Sequence, residues 1–478
     1  MQGIWTTERI REAEGRAFAV TPEGELMRRA SFGLAVQIAD VLAEHTGTVS
    51  GRRVVLLVGS GDNGGDALWA GAFLRRRGVA VTAVLLGSRA HEAGLAALRR
   101  AGGRVVSAED GPQWIARADV VVDGIVGISA SGSLRPAAAR LVSLVEAPIV
   151  AVDLPSGVDP DTGAVDGPAV RATRTVTFGA LKPVHALAPS WCGEVVLVDI
   201  GLELTDPDLQ RLDIVDVAAA WPVPGPLDDK YSQGVVGVAA GSATYPGAAV
   251  LTAGAAVRAT AGMVRYAGHA ADVVRAQWPE VIATGTVADA GRVQAWAVGP
   301  GIGTGSEGRD VVRYVLGQGL PVCADADATT IIAKSPEVLD ARDPDTPLVL
   351  TPHAGEYERL MGRKPGPDRV TAAREAAKKY NAVVLLKGHV TVVAAPDGRA
   401  AVNTPRGAWL ATPGSGDVLS GLLGSLLAAG LDPWLAAAMA AHVHSLAGAI
   451  AAQNAPTSSS ALVHAIPEAL RAIRSLLS

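Results

Sequence analysis

The chain has 478 residues, 49% of them hydrophobic and 19% charged, and a net charge of −5. That length is too great for one ordinary core and predicts two or three domains, and the composition excludes a disordered chain. No basic stripe with interleaved aromatics points to nucleic acid, and two cysteines, Cys192 and Cys323, exclude a disulfide framework or a Cys-based zinc site and suit a reducing cytoplasm.

The first residues carry acids and arginines and lack the apolar core of a signal peptide. Residues 6–44 read as one or two helices. Short Val-rich runs follow at 53–58, 79–86, 120–122, 149–152, 175–178 and 195–200, separated by Gly-rich turns and segments at helical spacing. Continuous apolar runs of this length suit parallel strands buried on both faces, so a doubly wound α/β sheet is expected. Residues 221–230 then hold three prolines and a glycine within five positions, which neither a helix nor a central strand accepts. The reading is a first domain over 1–215, a Pro-rich linker over 216–229 and a second domain over 230–478.

In that second domain the rhythm restarts at 235–240, 263–266, 295–298, 322–325, 348–350, 383–386 and 391–394, and the chain after Ala411 reads as helices. The most apolar stretches, 418–431 and 434–452, are parted by Asp432-Pro433 and interrupted by His442 and His444. Both are taken as buried helices that fall short of a membrane span, which needs about 20 apolar residues. His442 and His444, two apart on a helix, make a poor metal pair.

Three strand ends of the first domain carry polar sets. One is the turn Gly59-Ser-Gly-Asp62-Asn63-Gly64-Gly65-Asp66, opening a helix. The second is Asp123, leading to Gly127-Ile128-Ser129-Ala130-Ser131-Gly132-Ser133. The third is Asp153-Leu-Pro-Ser156-Gly157. A Gly-rich turn that opens a helix presents N–H groups to an anion, although a plain tight turn has the same composition. A strand-end Asp is often only a helix cap. Ligands of open α/β sheets bind at the carboxyl ends of strands, so three such sets converge on one region.

These motifs together resemble the NAD(P)H-hydrate epimerases over about residues 1–215. The resemblance implies a Rossmann-like, three-layer αβα domain. It assigns Asp62, Asn63, Gly64, Gly65, Asp66 and Gly127, Ile128, Ser129, Ala130, Ser131, Gly132, Ser133 to the substrate. It places Asp153 at the reacting nicotinamide ring as a catalytic residue, and makes Asn63, Asp123 and Ser156 ligands of a potassium ion. Oxygen-only ligands suit a hard cation in any case. Asp62 stands where the family usually has Asn, Ala67 where it has Gly, and Met27-Arg-Arg-Ala-Ser31 where it has Met-Glu-x-Ala-Gly.

The second domain carries Ala411-Thr-Pro413-Gly414-Ser415-Gly416-Asp417-Val-Leu-Ser-Gly421, a small-residue turn that opens an apolar helix. Its N–H groups and positive helix end form an anion hole, and Asp417 in the first turn is placed to take the proton of an attacking hydroxyl. The turn resembles that of the ribokinase-like kinases. Gly299-Pro-Gly-Ile-Gly303, Asp325-Ala-Asp327, Thr351-Pro-His353-x-Gly355-Glu356 and Leu386-Lys387-Gly388-His389-Val390-Thr391 narrow it to the nucleotide-dependent NAD(P)H-hydrate dehydratases. The resemblance implies contacts to the hydrate from Ala248, Gly303 and His353, with Asp417 as the base. It implies nucleotide contacts from Lys387, Gly388, His389, Val390, Thr391 and Gly416, with Mg2+ and ADP or ATP. The bacterial members favour ADP.

The expected function is therefore repair of NADH and NADPH hydrates, by epimerisation of the R and S forms and dehydration of the S form. It involves neither nucleic acid nor membrane, and leaves a homo-oligomer open. The alternative is a ribokinase-like vitamin or sugar kinase fused to a non-catalytic nucleotide-binding domain, which shares the Gly416-Asp417 turn but leaves the first-domain motifs unexplained.

Overall fold

The computed structural model of the chain describes residues 1–129, 132–260 and 262–476. It resolves into two compact units, one of Gly3–Leu209 and one of Met1–Gln2 with Gln210–Ser478.

The boundary therefore falls earlier than the proline run suggested. Residues 214–220 form a helix, Ile214–Ala220, opened by a reciprocal cap in which Asp213 Oδ1 accepts from the Asp216 amide at 2.8 Å and Asp216 Oδ2 accepts from the Asp213 amide at 2.9 Å. Leu212, Val217, Ala218 and Trp221 are buried in the C-terminal core. Only the stretch after Trp221 is an exposed connection. The prolines mark where regular structure stops, not where the domain begins.

In the N-terminal unit residues 6–44 become two helices, Thr7–Val20 and Glu25–Thr46, parted at Pro22 and at Gly24, whose φ of 74° is left-handed. Seven parallel strands follow. Their spatial order is Arg104–Ser107, Ala80–Leu85, Arg53–Val58, Val120–Gly124, Ile149–Val152, Arg174–Phe178 and Glu194–Val198. The central strands are buried end to end, as their unbroken Val/Leu runs require. Arg104–Ser107 is an edge strand with only two apolar residues, too short to stand out by pattern. Helices Glu25–Thr46 and Asp62–Arg76 cover one face, and Pro136–Val142 covers the other. The order reverses between Arg53–Val58 and Val120–Gly124, which is where a doubly wound sheet binds its ligand.

The C-terminal unit is built on an eleven-stranded mixed sheet. Its parallel part runs in the order Ile282–Thr284, Met263–Ala267, Val235–Ala239, Ala295–Val298, Val322–Ala324, Leu348–Leu350 and Val383–Leu386. Thr391–Ala394 pairs antiparallel with Val383–Leu386, and Ala400–Asn403 pairs antiparallel with Thr391–Ala394. Helices Pro246–Arg258, Ser415–Ala428, Pro433–Ala452 and Ser459–Arg474 share one large core against the sheet. Pro433–Ala452 does reach the length and apolarity of a membrane span, against the expectation from sequence, but 72% of its most apolar window is buried inside this unit. Asp432 caps its start, so Pro433 extends the apolar run as the first helical residue.

Candidate active sites

In the N-terminal unit the switch point brings the three predicted strand ends together. Gly59 permits the approach, since a Cβ there would lie 1.8 Å from the Ile125 carbonyl oxygen. Asn63, in the first helical turn, donates through Nδ2 to the carbonyls of Val126 at 3.0 Å and Val152 at 2.7 Å, tying one strand-end loop to the next strand. Its Oδ1 faces Gly127, where a Cβ would come within 2.5 Å. Asp123 is fully buried. Its Oδ1 accepts from Ser156 Oγ at 2.7 Å and the Ile125 amide at 3.2 Å, and its Oδ2 from the Ser156 amide at 2.8 Å. Ser156 Oγ in turn accepts from the Val126 amide at 3.2 Å. Every one of these donors is neutral, so burial pushes the Asp123 carboxyl up to about 6. Among the described residues this buried carboxylate has no positive partner, and a carboxylate with a hydroxyl and an amide oxygen is a donor set that fits a monovalent hard cation.

Asp153 adopts a left-handed backbone, φ 68°, at the end of its strand. Its Oδ1 accepts from Lys182 Nζ at 2.6 Å and Thr177 Oγ1 at 3.0 Å, with the Phe178 amide at 3.4 Å. Its carbonyl lies 2.8 Å from His185 Nε2. Lys182 is 1% exposed. Thr177, Lys182 and His185 were missed in the sequence because Thr177 reads as an ordinary β-branched strand residue and Lys182 and His185 as isolated polar residues around Pro183, with no motif to flag them.

The predicted substrate residues do not all share one cavity. Ser129, Gly132 and Ser133 line a space of about 470 Å³ with Gly59, Ser60, Val126 and Gly157. Arg11 donates to the Ile128 carbonyl at 2.8 Å. Ala130 and Ser131 lie outside the described residues. Asp62 and Asp66 line a separate cavity of about 520 Å³ with Glu14, Trp69 and Phe178. Gly64 and Gly65 serve close packing, since a Cβ would meet the Gly59 carbonyl oxygen at 2.3 Å or the His91 ring at 2.9 Å. Asp66 is buried and accepts from Ser31 Oγ at 3.0 Å, and burial holds its carboxyl well above the usual range. Ser31, one of the departures from the family pattern, thus has a partner. Glu14, on the first helix, is raised by burial and then by the charge of Asp153.

In the C-terminal unit, Gly414 with φ 85° turns the chain into helix Ser415–Ala428 and places Asp417 in its first turn. Asp417 lines a cavity of about 670 Å³ with Asp325, His353, Glu356, Lys387, Gly388, His389, Thr391, Gly416 and His444. Burial, then the charge of Asp325, raises the Asp417 carboxyl to about 7, opposed by Lys387. Asp325 is 1% exposed; its Oδ1 accepts from Lys387 Nζ at 2.6 Å and its Oδ2 from Ser420 Oγ at 2.8 Å. Lys387 is part-buried, and although desolvation opposes its charge, Asp325 and Glu356 hold its ammonium above the ordinary lysine range. Glu356 is raised by burial. His353 caps the next helix, its Nδ1 accepting from the Gly355 amide at 2.9 Å.

Of the predicted set, Val390 points into the core and does not line the cavity, because residues 388–390 turn back between antiparallel strands. Ala248 lies in the first turn of helix Pro246–Arg258, and Gly303 in the loop after strand Ala295–Val298. Gly303 donates its amide to Asp327 Oδ2 at 2.9 Å, and the Ala248 methyl packs where a Cβ on Gly301 would come within 3.0 Å. Ser415 Oγ donates to the Leu410 carbonyl at 2.8 Å, so its hydroxyl is engaged within the loop. The Pro413 carbonyl accepts from Ser459 Oγ at 2.6 Å. His442 and His444 are buried and held neutral, each pushed down to about 4, and His444 Nε2 lies 2.8 Å from the Ser415 carbonyl. Ser420 escaped notice in the sequence because it is one small residue on an apolar helix. Among the described residues, no group of three His, Cys, Asp or Glu side chains forms a metal cluster.

A doubly wound domain with polar strand ends at its switch point, and a ribokinase-like domain with a carboxylate in the first turn of a cavity-lining helix, define a two-domain enzyme of the nucleotide-handling α/β class. The chain is 57% identical over 442 residues, 92% of each chain, to the bifunctional NAD(P)H-hydrate repair enzyme of Mycobacterium tuberculosis. It belongs to the family of bifunctional NAD(P)H-hydrate repair enzymes. The counterpart from Mycobacterium leprae is 55% identical, with 99% of this chain and all of that one covered. A family model described as NAD(P)H-hydrate dehydratase matches residues 236–470, and one described as the N-terminus of YjeF-related proteins matches residues 23–184. Among solved structures, the ADP/ATP-dependent NAD(P)H-hydrate dehydratase of Bacillus subtilis, co-crystallised with ATP and Mg2+, is 26% identical with a TM-score of 0.50. It covers 55% of this chain and 99% of its own.

Proposed function

We propose that the N-terminal unit interconverts the R and S hydrates of NADH and NADPH around Asp153, and that the C-terminal unit dehydrates the S hydrate with Asp417 as base and ADP as phosphoryl donor. The observation that carries this reading is the position of Asp417. It stands in the first turn of a helix at the mouth of the cavity it shares with Lys387 and Gly416. There the helix end and the Lys387 ammonium stabilise a transferring phosphoryl group. A carboxyl raised to about 7 is a stronger base than an ordinary aspartate and suits proton removal near neutral pH.

In this mechanism Asp417 takes the proton from the hydroxyl of the hydrated ring as that oxygen attacks the terminal phosphorus of the nucleotide. The P–O bond to the rest of the nucleotide breaks and the shortened nucleotide leaves; the C–O bond then breaks with its electron pair going to the departing phosphate, and the neighbouring carbon gives its proton to solvent to restore the dihydronicotinamide. Lys387 and the backbone of Gly416 orient the phosphates, Gly388, His389 and Thr391 line the nucleotide end, and His353, Gly303 and Ala248 flank the hydrate. Positioning and charge stabilisation account for most of the rate. Magnesium would neutralise phosphate charge, with Glu356 the carboxylate at hand in the cavity. In the N-terminal unit Asn63, Asp123 and Ser156 would hold potassium, whose charge would compensate Asp123. The two buried free thiols suit a cytoplasmic enzyme.

The test is a mixture of R and S hydrates with purified protein, Mg2+ and ADP or ATP. Full recovery of dihydronicotinamide absorbance with release of free phosphate supports the reading. A product that keeps its phosphate identifies a vitamin or sugar kinase instead, and recovery that stops at the S fraction removes the epimerase half.

A further inference from the structure

Asp153 has an asymmetric set of partners. Lys182 Nζ, Thr177 Oγ1 and the Phe178 amide all converge on Oδ1. Among the described residues no hydrogen bond or ion pair reaches Oδ2. Thr177 Oγ1 also accepts from Lys182 Nζ at 3.0 Å, and Lys182 Nζ lies 3.4 Å from the Ala180 carbonyl, so the ammonium is fixed from three sides. His185 Nε2 holds the Asp153 carbonyl at 2.8 Å, at a residue whose φ of 68° an L-amino acid adopts only under constraint. Four contacts therefore define the position of one carboxylate oxygen and the backbone that carries it. A buried lysine and a strained aspartate are both expensive, and neither is needed to close the sheet.

We propose that Lys182, with Thr177 and His185, is a positioning clamp that holds Asp153 in place and presents its Oδ2 as the base for epimerisation. This rests on the reading that Asp153 sits at the reacting ring. Hydration of an enamine puts the hydroxyl on the carbon next to the ring nitrogen. Inversion there begins as the nitrogen lone pair forms a C=N bond and the C–O bond breaks, the leaving oxygen taking a proton from solvent water and departing as water. A second water then adds to the opposite face of the iminium carbon, the C=N electron pair returns to nitrogen, and Asp153 Oδ2 accepts the proton that this water sheds. Asp153 afterwards returns that proton to the hydroxide left by the first step, so atoms and charge balance. The clamp matters because a base serves only if it is aimed. With Oδ1 engaged by the ammonium and the threonine, one oxygen is left for chemistry in one direction.

The experiment follows epimerisation of the purified R hydrate by chromatography, with the full chain and no nucleotide, so the dehydratase is idle. Lys182→Ala should lose roughly 10²-fold or more in kcat with little change in KM, the size expected for a misplaced base. Ethylammonium, which fits the space left by the side chain, should restore part of that loss. Lys182→Arg should keep more activity than Lys182→Ala, and Thr177→Val, a milder change, should lower kcat several-fold. Lys182→Ala/Asp153→Asn should be no slower than Asp153→Asn alone, as for residues that act as one unit. A Lys182→Ala protein that retains wild-type kcat overturns the clamp, as does one that is folded by circular dichroism, slow, and indifferent to the amine. If Lys182→Ala does not fold, Thr177→Val decides, and an unchanged kcat there overturns the proposal. If Asp153→Asn retains its rate, the underlying reading of Asp153 fails, whereas a slow Asp153→Asn beside a fast Lys182→Ala removes the clamp alone.

Discussion

Lys387 Nζ lies 2.6 Å from Asp325 Oδ1, and this part-buried pair sets the charge that Asp417 meets at the start of its helix. Burial, the largest cause, and Asp325 both oppose ionisation of Asp417, and together they outweigh Lys387, which favours it, leaving the carboxyl near 7. The Asp417 carboxyl is thus only part ionised at neutral pH.

Asp417→Asn should lower the dehydration rate by roughly 10²–10⁴-fold, the usual worth of a positioned base. Asparagine keeps the size and the compatibility with a first helical turn, so the thermal midpoint should hardly move. Nucleotide affinity should stay close to wild type, and epimerisation should continue. Parallel loss of all three on one preparation would indicate misfolding, and near-normal dehydration would take Asp417 out of the mechanism.

The pH profile follows from the sign of the Asp417 shift. A base works in its ionised form, so kcat/KM for dehydration should fall about tenfold per pH unit below a midpoint near 7 and level off above it. Asp325→Asn removes a negative neighbour and frees Lys387 to favour the Asp417 carboxylate, so both effects move the limb to lower pH. A limb that stays in place, or moves up, would show that another group sets it.

Potassium should stabilise the N-terminal unit. At a concentration about 100 times its dissociation constant, a bound ion adds about 2.7 kcal/mol, a rise of several degrees in the thermal midpoint. Choline at equal ionic strength should not reproduce it, and Asp123→Asn should abolish the difference. Crystals soaked in rubidium or thallium should give an anomalous peak among Asn63, Asp123 and Ser156; an empty map there returns these residues to loop capping.

Separate expression should distinguish the two boundaries. Fragments 3–209 and 210–478 should each fold, because each carries its own sheet and core. A fragment that starts at 226 lacks Leu212, Val217 and Trp221, all core residues, and should be less stable than 210–478 by several kcal/mol, at roughly 1.5–3 kcal/mol for each large apolar side chain. Equal denaturation midpoints for the two would show that the helix Ile214–Ala220 contributes nothing.

The amino-acid sequence by itself determined the class of fold, because unbroken Val/Leu runs such as 53–58 and 383–386 satisfy only strands buried on both faces. It also showed where polar turns interrupt the apolar runs, since Gly59–Asp66, Asp123, Ser156 and Asp417 lie within local stretches whose turn geometry needs small and polar residues. Edge strands such as Arg104–Ser107 and Ile282–Thr284 left too few apolar positions to read. The tertiary structure alone decided what each group faces. Lys182 is 29 residues from Asp153, Asp325 is 62 from Lys387 and Ser420 is 95 from Asp325. No local pattern encodes such pairs, because a hydrogen bond across a sheet depends on strand order and register. Those follow from how the whole core packs, and so do the charges that Asp153 and Asp417 experience.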